Sequence, residues 1–155
     1  MIKIKYLCEY PNYLPKVAQL WCDTIGKKWR PEITITEIEA RFRDHLNKDA
    51  LPLTYIALDD DEVIGTCSFR SDDGFQAKYM PWLASLCVAE SHRKRGVGKL
   101  LIKMVKEKAH KMGFTKLYLG TFEQKVADWY ARDGWQEVER IIYQDHPTTI
   151  MMIDV

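Results

Sequence analysis

The stretch from Trp82 to Met112 constrains this chain more than any other. Leu83 to Ala89 is an apolar run, interrupted only by Ser85, of the length of a buried strand. Arg93-Lys94-Arg95-Gly96-Val97-Gly98-Lys99 follows it, and then Val97, Leu100, Leu101, Met104 and Val105 repeat at the spacing of an amphipathic helix. A strand, a basic glycine-containing turn and a helix therefore succeed one another. The first amides of a helix lack intrahelical acceptors, and its dipole places about half a positive charge there. Gly96 and Gly98 remove side chains where an anion must approach the backbone, and Arg93, Arg95 and Lys99 add full charges. Such a turn is built to hold a phosphate or pyrophosphate.

The spacing excludes two common phosphate loops. A triphosphatase loop needs four residues between its glycines and a hydroxyl after the lysine, whereas here one residue intervenes and Leu100 follows Lys99. A dinucleotide fingerprint needs a third glycine where Leu101 stands.

Around this stretch the chain alternates elements without repeats or linkers. Ile2, Ile4 and Tyr6 alternate with Lys3 and Lys5 as in a half-buried strand. Leu14, Val17, Ala18, Trp21, Cys22 and Ile25 form one helical face, with Gly26 as the expected end and Lys27 to Arg30 as a loop. Thr34 and Glu37 form a capping box for a second helix reaching about Asn47. Leu53 to Leu58 and Val63 to Arg70 read as strands joined by Asp59-Asp60-Asp61-Glu62, a solvated hairpin turn rather than a metal site. Ser71 to Tyr79 reads as a polar hairpin loop. Beyond the central helix come a C-cap at Gly113, a strand over Lys116 to Thr121, and a helix over Glu123 to Arg132 stopped by Gly134. Strands over Trp135 to Tyr143 and Thr148 to Val155, linked by Asp145-His146-Pro147, complete the chain. The order β, α, α, β, β, β, α, β, α, β, β predicts a mixed α/β (α+β) domain, residues 1–155, with a central, mostly antiparallel sheet flanked by helices.

Composition narrows the function. A net charge of +1 argues against a general nucleic-acid binder, so positive charge must act locally. Cys8, Cys22, Cys67 and Cys87 have neither paired nor zinc-ligand spacing, and no metal is expected. With no signal-like N-terminus and no long apolar run, a reduced, cytoplasmic protein without membrane contact is expected. His45, His92, His110 and His146 are scattered and read as surface residues.

Arg93-x-x-Gly96-x-Gly98 after Val88-Ala89 resembles the pyrophosphate motif (Q/R)xxGx(G/A) of the GNAT acetyltransferase superfamily. Residues 124–135 resemble the family's second segment: Ala127, Tyr130, Gly134 and Trp135 match in register, while Gln124 stands where Asn is frequent. The order of elements also matches that family along the whole chain, most strongly from Trp82 to Trp135.

The resemblance implies a GNAT-like fold, acetyl-coenzyme A as co-substrate, and direct acetyl transfer to a primary amine in a ternary complex. Arg93, Lys94, Arg95, Gly96, Val97, Gly98 and Lys99 would hold the pyrophosphate. Backbone groups of Leu86, Cys87 and Val88 would meet the pantetheine arm, Gln124 would lie near it, and Tyr130 would be the acid that protonates the thiolate. Many relatives place a catalytic glutamate on the central strand, and none occurs between Trp82 and Val88. Asp72, Asp73, Glu123 and Asp145 reach a base position only if loops fold over the site. Trp29, Phe75, Trp82 and Tyr143 are candidate acceptor-pocket aromatics, and Lys27, Lys28 and Arg30 sit where family members contact acceptors. A small-molecule acceptor is expected. Peptide N-termini or lysines, charged transfer RNA, and a non-catalytic acyl-coenzyme A sensor stand as rivals, with the protein a monomer or homodimer.

Overall fold

A computed structural model describes residues 1–155. The elements are β1 (Ile2–Tyr6), α1 (Leu14–Trp21), α2 (Lys27–Trp29), α3 (Ile35–Arg43), β2 (Leu53–Asp59), β3 (Glu62–Arg70), β4 (Trp82–Val88), α4 (Val97–Lys111), β5 (Lys116–Thr121), α5 (Gln124–Arg132), β6 (Gln136–Tyr143) and β7 (His146–Asp154). The seven strands follow the order β1-β2-β3-β4-β5-β7-β6. Four pairings are antiparallel and β4 with β5 is parallel, so the sheet is mixed and mostly antiparallel as expected. The chain divides into two compact units, Met1–Phe69 with Ser85–Val105 and Arg70–Ala84 with Lys106–Val155.

In the first unit β1 pairs with β2, and β2 with β3. Leu53 to Leu58 and Val63 to Phe69 are buried without a break, as in strands covered on both faces. Polar side chains inside this region are satisfied: Thr54 lies 2.7 Å from Ser68 Oγ and 2.8 Å from His45 Nδ1. His45 is therefore a buried core residue rather than a surface one. Leu14, Val17, Ala18 and Trp21 form the buried face of α1 and join Ile38 and Phe42 of α3 in one apolar cluster. Each side chain of this size, fully buried, stabilises by roughly 1.5–3 kcal/mol.

Two boundaries differ from expectation. Gly26 does not end the first helix; its φ is −59°, and a π-helical turn, Cys22–Gly26, runs into α2. Lys27, Lys28 and Trp29 are thus helical. Gly26 is needed for close approach: a Cβ there would lie 2.8 Å from the Trp21 ring. Thr24 Oγ1 donates to Leu20 O at 2.7 Å within the same widened turn. The capping box at α3 forms, with Glu37 N donating to Thr34 Oγ1 at 3.2 Å. The helix nevertheless stops at Arg43, and the Asn47 amide instead donates to Pro52 O at 2.8 Å.

In the second unit β7 lies between β5 and β6 and is antiparallel to both. The turn joining β6 to β7 is Gln144-Asp145, both left-handed with φ of 48° and 66°, the geometry of a two-residue hairpin loop. His146 and Pro147, expected in the linker, belong to β7 and pair with Tyr143 and Ile142. Residues 71–80 form no hairpin of their own. They are held by aromatic packing: Phe75 lies 5.9 Å from Trp82 and 4.8 Å from Tyr143, and Tyr79 stacks on Tyr118 at 4.7 Å. No helix is long and apolar enough to cross a membrane.

Candidate active site

The central strand is not uniform. Ser85 has φ 52°, a region rarely entered by residues with a side chain, and it interrupts the alternation of β4. Beyond it Leu86 and Val88 are half-buried while Cys87 is buried. Burial pushes the Cys87 thiol up to about 12 despite a hydrogen bond with Thr24 and the charge of Arg93. Cys67 is likewise raised well above the ordinary thiol range by burial. A thiol in this state supplies no thiolate near neutral pH and is a poor nucleophile. Iodoacetamide at pH 8 should leave Cys67 and Cys87 unmodified in the folded protein and label both after unfolding, read by mass spectrometry. Rapid labelling of native Cys87 would contradict this environment.

After β4 the chain makes a tight 3-10 turn over Glu90–His92, with His92 N donating to Ala89 O at 2.9 Å. Arg93 Nε donates to Val88 O at 3.1 Å, folding that side chain back onto the strand end. Lys94 and Gly96 then take left-handed conformations, φ 62° and 80°. No atom lies within 4 Å of where a Gly96 Cβ would stand, so backbone conformation rather than space calls for glycine there. Leu100 N donates to Gly96 O, which opens α4 and leaves the Val97, Gly98 and Lys99 amides as first-turn donors. Arg93, Lys94, Arg95 and Lys99 are exposed around them, Gly98 is half-buried, and Val97 is buried. The set of amides and cations fits a pyrophosphate: several donors, a helix dipole and no carboxylate from Ser91 to Leu101.

His92, expected at the surface, and Asp59, expected in a solvated turn, meet beside this turn. His92 is 8% exposed; its Nε2 lies 3.0 Å from Asp59 Oδ2 and its Nδ1 2.7 Å from Ser91 Oγ. Asp59 Oδ1 also lies 3.6 Å from the amino group of Met1. The hydrogen bond from His92 holds the Asp59 carboxyl below the usual carboxylate range. Asp59 is thus engaged with its own chain. No group of three or more His, Cys, Asp or Glu side chains is placed to hold a metal ion.

The second unit carries α5. Tyr130 is 5% exposed, with ring centroids of Trp129 at 5.1 Å and Trp135 at 5.5 Å, both edge-on. Trp135 N donates to Tyr130 O at 3.3 Å as the helix closes at Gly134, so the spacing of the second motif is the spacing of a helix end. Gln124 is exposed on the first turn of α5, and its amide donates to Asp128 Oδ1 at 2.8 Å. Of the proposed acceptor aromatics, Phe75, Trp82 and Tyr143 come together in this unit, whereas Trp29 lies on α2 of the first. Among the candidate bases, Asp72 accepts from Gly74 N at 2.8 Å and Asp73 pairs with Arg70 at 3.1 Å. Glu123 is the residue before α5, and Asp145 sits in the hairpin turn.

Residues 14–135, which contain both motifs, match the Acetyltransferase (GNAT) family. The chain belongs to that family. No curated protein matches it at a significant level. Among solved structures, this acetyltransferase is similar to an aminoglycoside 6'-N-acetyltransferase complexed with coenzyme A, with a TM-score of 0.76 and 17% identity over 98% of this chain and 96% of that one. It is also similar to an aminoglycoside 6'-acetyltransferase type Ii, TM-score 0.75 and 19% identity over 98% and 96% of the two chains. Ard1 from Thermoplasma volcanium gives a TM-score of 0.76 at 14% identity, covering 99% and 97%. At these identities the structural matches establish a shared fold, while the family match establishes an acetyl-coenzyme A-dependent N-acetyltransferase.

Proposed function

We propose that this acetyltransferase moves the acetyl group of acetyl-coenzyme A directly to a primary amine of a small molecule. The observation that carries the reading is the turn Arg93–Lys99, where exposed cations and the left-handed Lys94 and Gly96 lead into the first-turn amides of α4. In the proposed reaction the amine nitrogen attacks the thioester carbonyl carbon and the carbon–sulfur bond breaks. The amine gives up its proton to water, the departing thiolate takes one from the Tyr130 hydroxyl, and water returns a proton to the phenolate. A phenol with pKa near ~10 is close enough to a thiol near ~8.5 for that transfer to help. Backbone groups of Leu86, Cys87 and Val88 are proposed to meet the pantetheine arm and Gln124 to lie near it. Protonated, buried Cys87 favours direct transfer over an acyl-cysteine route.

Similarity to two aminoglycoside acetyltransferases over nearly the whole chain supports a small-molecule amine as acceptor. The test is acetyl-coenzyme A consumption, read as free thiol, against a panel of amines, polyamines, aminoglycosides and short peptides. Acceptor-dependent release with small amines is expected. Release with peptides alone would move the acceptor class, and tight coenzyme binding with no release across the panel would favour a sensor. Failure to bind the coenzyme would remove the reading.

A further inference from the structure

Between Glu90 and Gly96 one side chain is buried, and it is His92. The other residues of the turn are exposed, including three consecutive cations, Arg93, Lys94 and Arg95, that repel one another. The backbone also holds a lysine at φ 62°, a conformation that persists only where its surroundings impose it. Such a turn needs an anchor. The imidazole supplies one, because both ring nitrogens are engaged: Nε2 with Asp59 at the end of β2, Nδ1 with the neighbouring Ser91 hydroxyl. Asp59 is itself thirty-three residues away in the chain and bears on a second element, the amino group of Met1 at the start of β1.

We propose that His92 is a positioning residue: clamped between Asp59 and Ser91, it fixes the Arg93–Gly96 backbone in the conformation that receives the coenzyme pyrophosphate. The inference rests on the acetyl-coenzyme A reading given above. A neutral ring satisfies both contacts by donating from Nε2 to the carboxylate and accepting the serine proton at Nδ1. A protonated ring satisfies them by donating from both nitrogens. The clamp therefore holds in either state and is not a proton switch. Its part is geometric, since a preformed turn spares the coenzyme the cost of ordering it.

The consequence is a separation of effects. An interaction that serves coenzyme binding equally in the ground and transition states shifts KM without shifting kcat. A residue that only supports the fold shifts melting temperature and leaves both alone. The experiment measures coenzyme A affinity by calorimetry, together with melting temperature and acetyl-transfer kinetics, for the wild type, His92→Leu, His92→Gln, Asp59→Ala and the Asp59→Ala/His92→Leu double variant. His92→Leu is expected to weaken coenzyme A binding by about tenfold to a hundredfold, as loss of a charge-assisted hydrogen bond would, with kcat unchanged at saturating acetyl-coenzyme A. His92→Gln keeps an amide donor within reach of Asp59 and should restore most of the affinity. Asp59→Ala leaves the ring in place and should weaken binding in the same direction, and the double variant should be no worse than His92→Leu.

Folded variants that bind coenzyme A like the wild type would overturn the inference, as would fully additive single effects or a His92→Gln as weak as His92→Leu. If His92→Leu does not fold, Asp59→Ala and His92→Gln decide the matter alone. Wild-type protein that fails to bind coenzyme A would overturn the acetyl-coenzyme A reading itself, and the positioning role with it. Wild-type binding that survives every variant would overturn the positioning role only.

Discussion

Tyr130→Phe should lower acetyl transfer by about 10²–10⁴-fold while the protein remains folded. The substitution removes one oxygen and keeps the ring that Trp129 and Trp135 meet edge-on, at 5.1 and 5.5 Å. Packing around a residue only 5% exposed is therefore preserved, and its apolar contribution changes little. In the proposed reaction, what is lost is the proton offered to the leaving sulfur. The loss should appear in kcat and kcat/KM alike, because a proton delivered as the carbon–sulfur bond breaks matters in the transition state and not in binding. Coenzyme affinity should stay at the wild-type value. Unchanged turnover at saturating acceptor would return Tyr130 to a packing role and leave thiolate protonation to solvent.

The second large effect is expected at Gly65 of β3, a residue that no motif marks. A Cβ at this position would lie 3.1 Å from Leu101 Cδ1, 3.2 Å from the Cys87 carbonyl oxygen and 3.3 Å from Val97 Cγ1. Three neighbours from two other elements leave no direction for a larger side chain, and one of them is backbone. Val97 opens α4, so whatever displaces it displaces the first-turn amides proposed to bind pyrophosphate. Gly65→Val should destabilise the fold by about 1–3 kcal/mol through overpacking. It should also weaken coenzyme binding by more than the stability loss accounts for. Thermal melting beside coenzyme A calorimetry checks both. A variant with lowered melting temperature but wild-type affinity would show that α4 adjusts without moving its first turn.

Legibility from sequence tracked how local each determinant was. The Arg93–Lys99 turn could be read because strand, turn and helix signals lie side by side within one short stretch. Thr34 and Glu37 were legible for the same reason, and their capping hydrogen bond forms. Gly26 misled because its usual meaning, a helix end, is local, whereas the Trp21 ring that occupies its missing side-chain volume is a packing fact. Pro147 drew the expected linker toward itself. In the fold it occupies a strand position opposite Ile142, and two left-handed non-glycine residues make the turn instead. His92 and Asp59 could not be paired in advance, since no periodicity connects residues so far apart. The left-handed Ser85 within an apolar run likewise has no local signature, because serine enters that region only where its surroundings impose it.

The placement of β7 carries a consequence for how the chain is made. β7 follows β6 in sequence yet lies between β5 and β6, pairing with β5 from Lys116↔Asp154 to Thr121↔Thr149 and with β6 along its length. While a ribosome is still synthesising β7, β5 has no antiparallel neighbour and β6 has no neighbour at all. Both then present bare backbone donors and acceptors, the condition under which nascent strands pair wrongly or recruit chaperones. The pairing of β5 and β6 into the sheet thus waits on β7, and a chain cut before β7 is expected to expose both strands, which limited proteolysis of such a truncation would show.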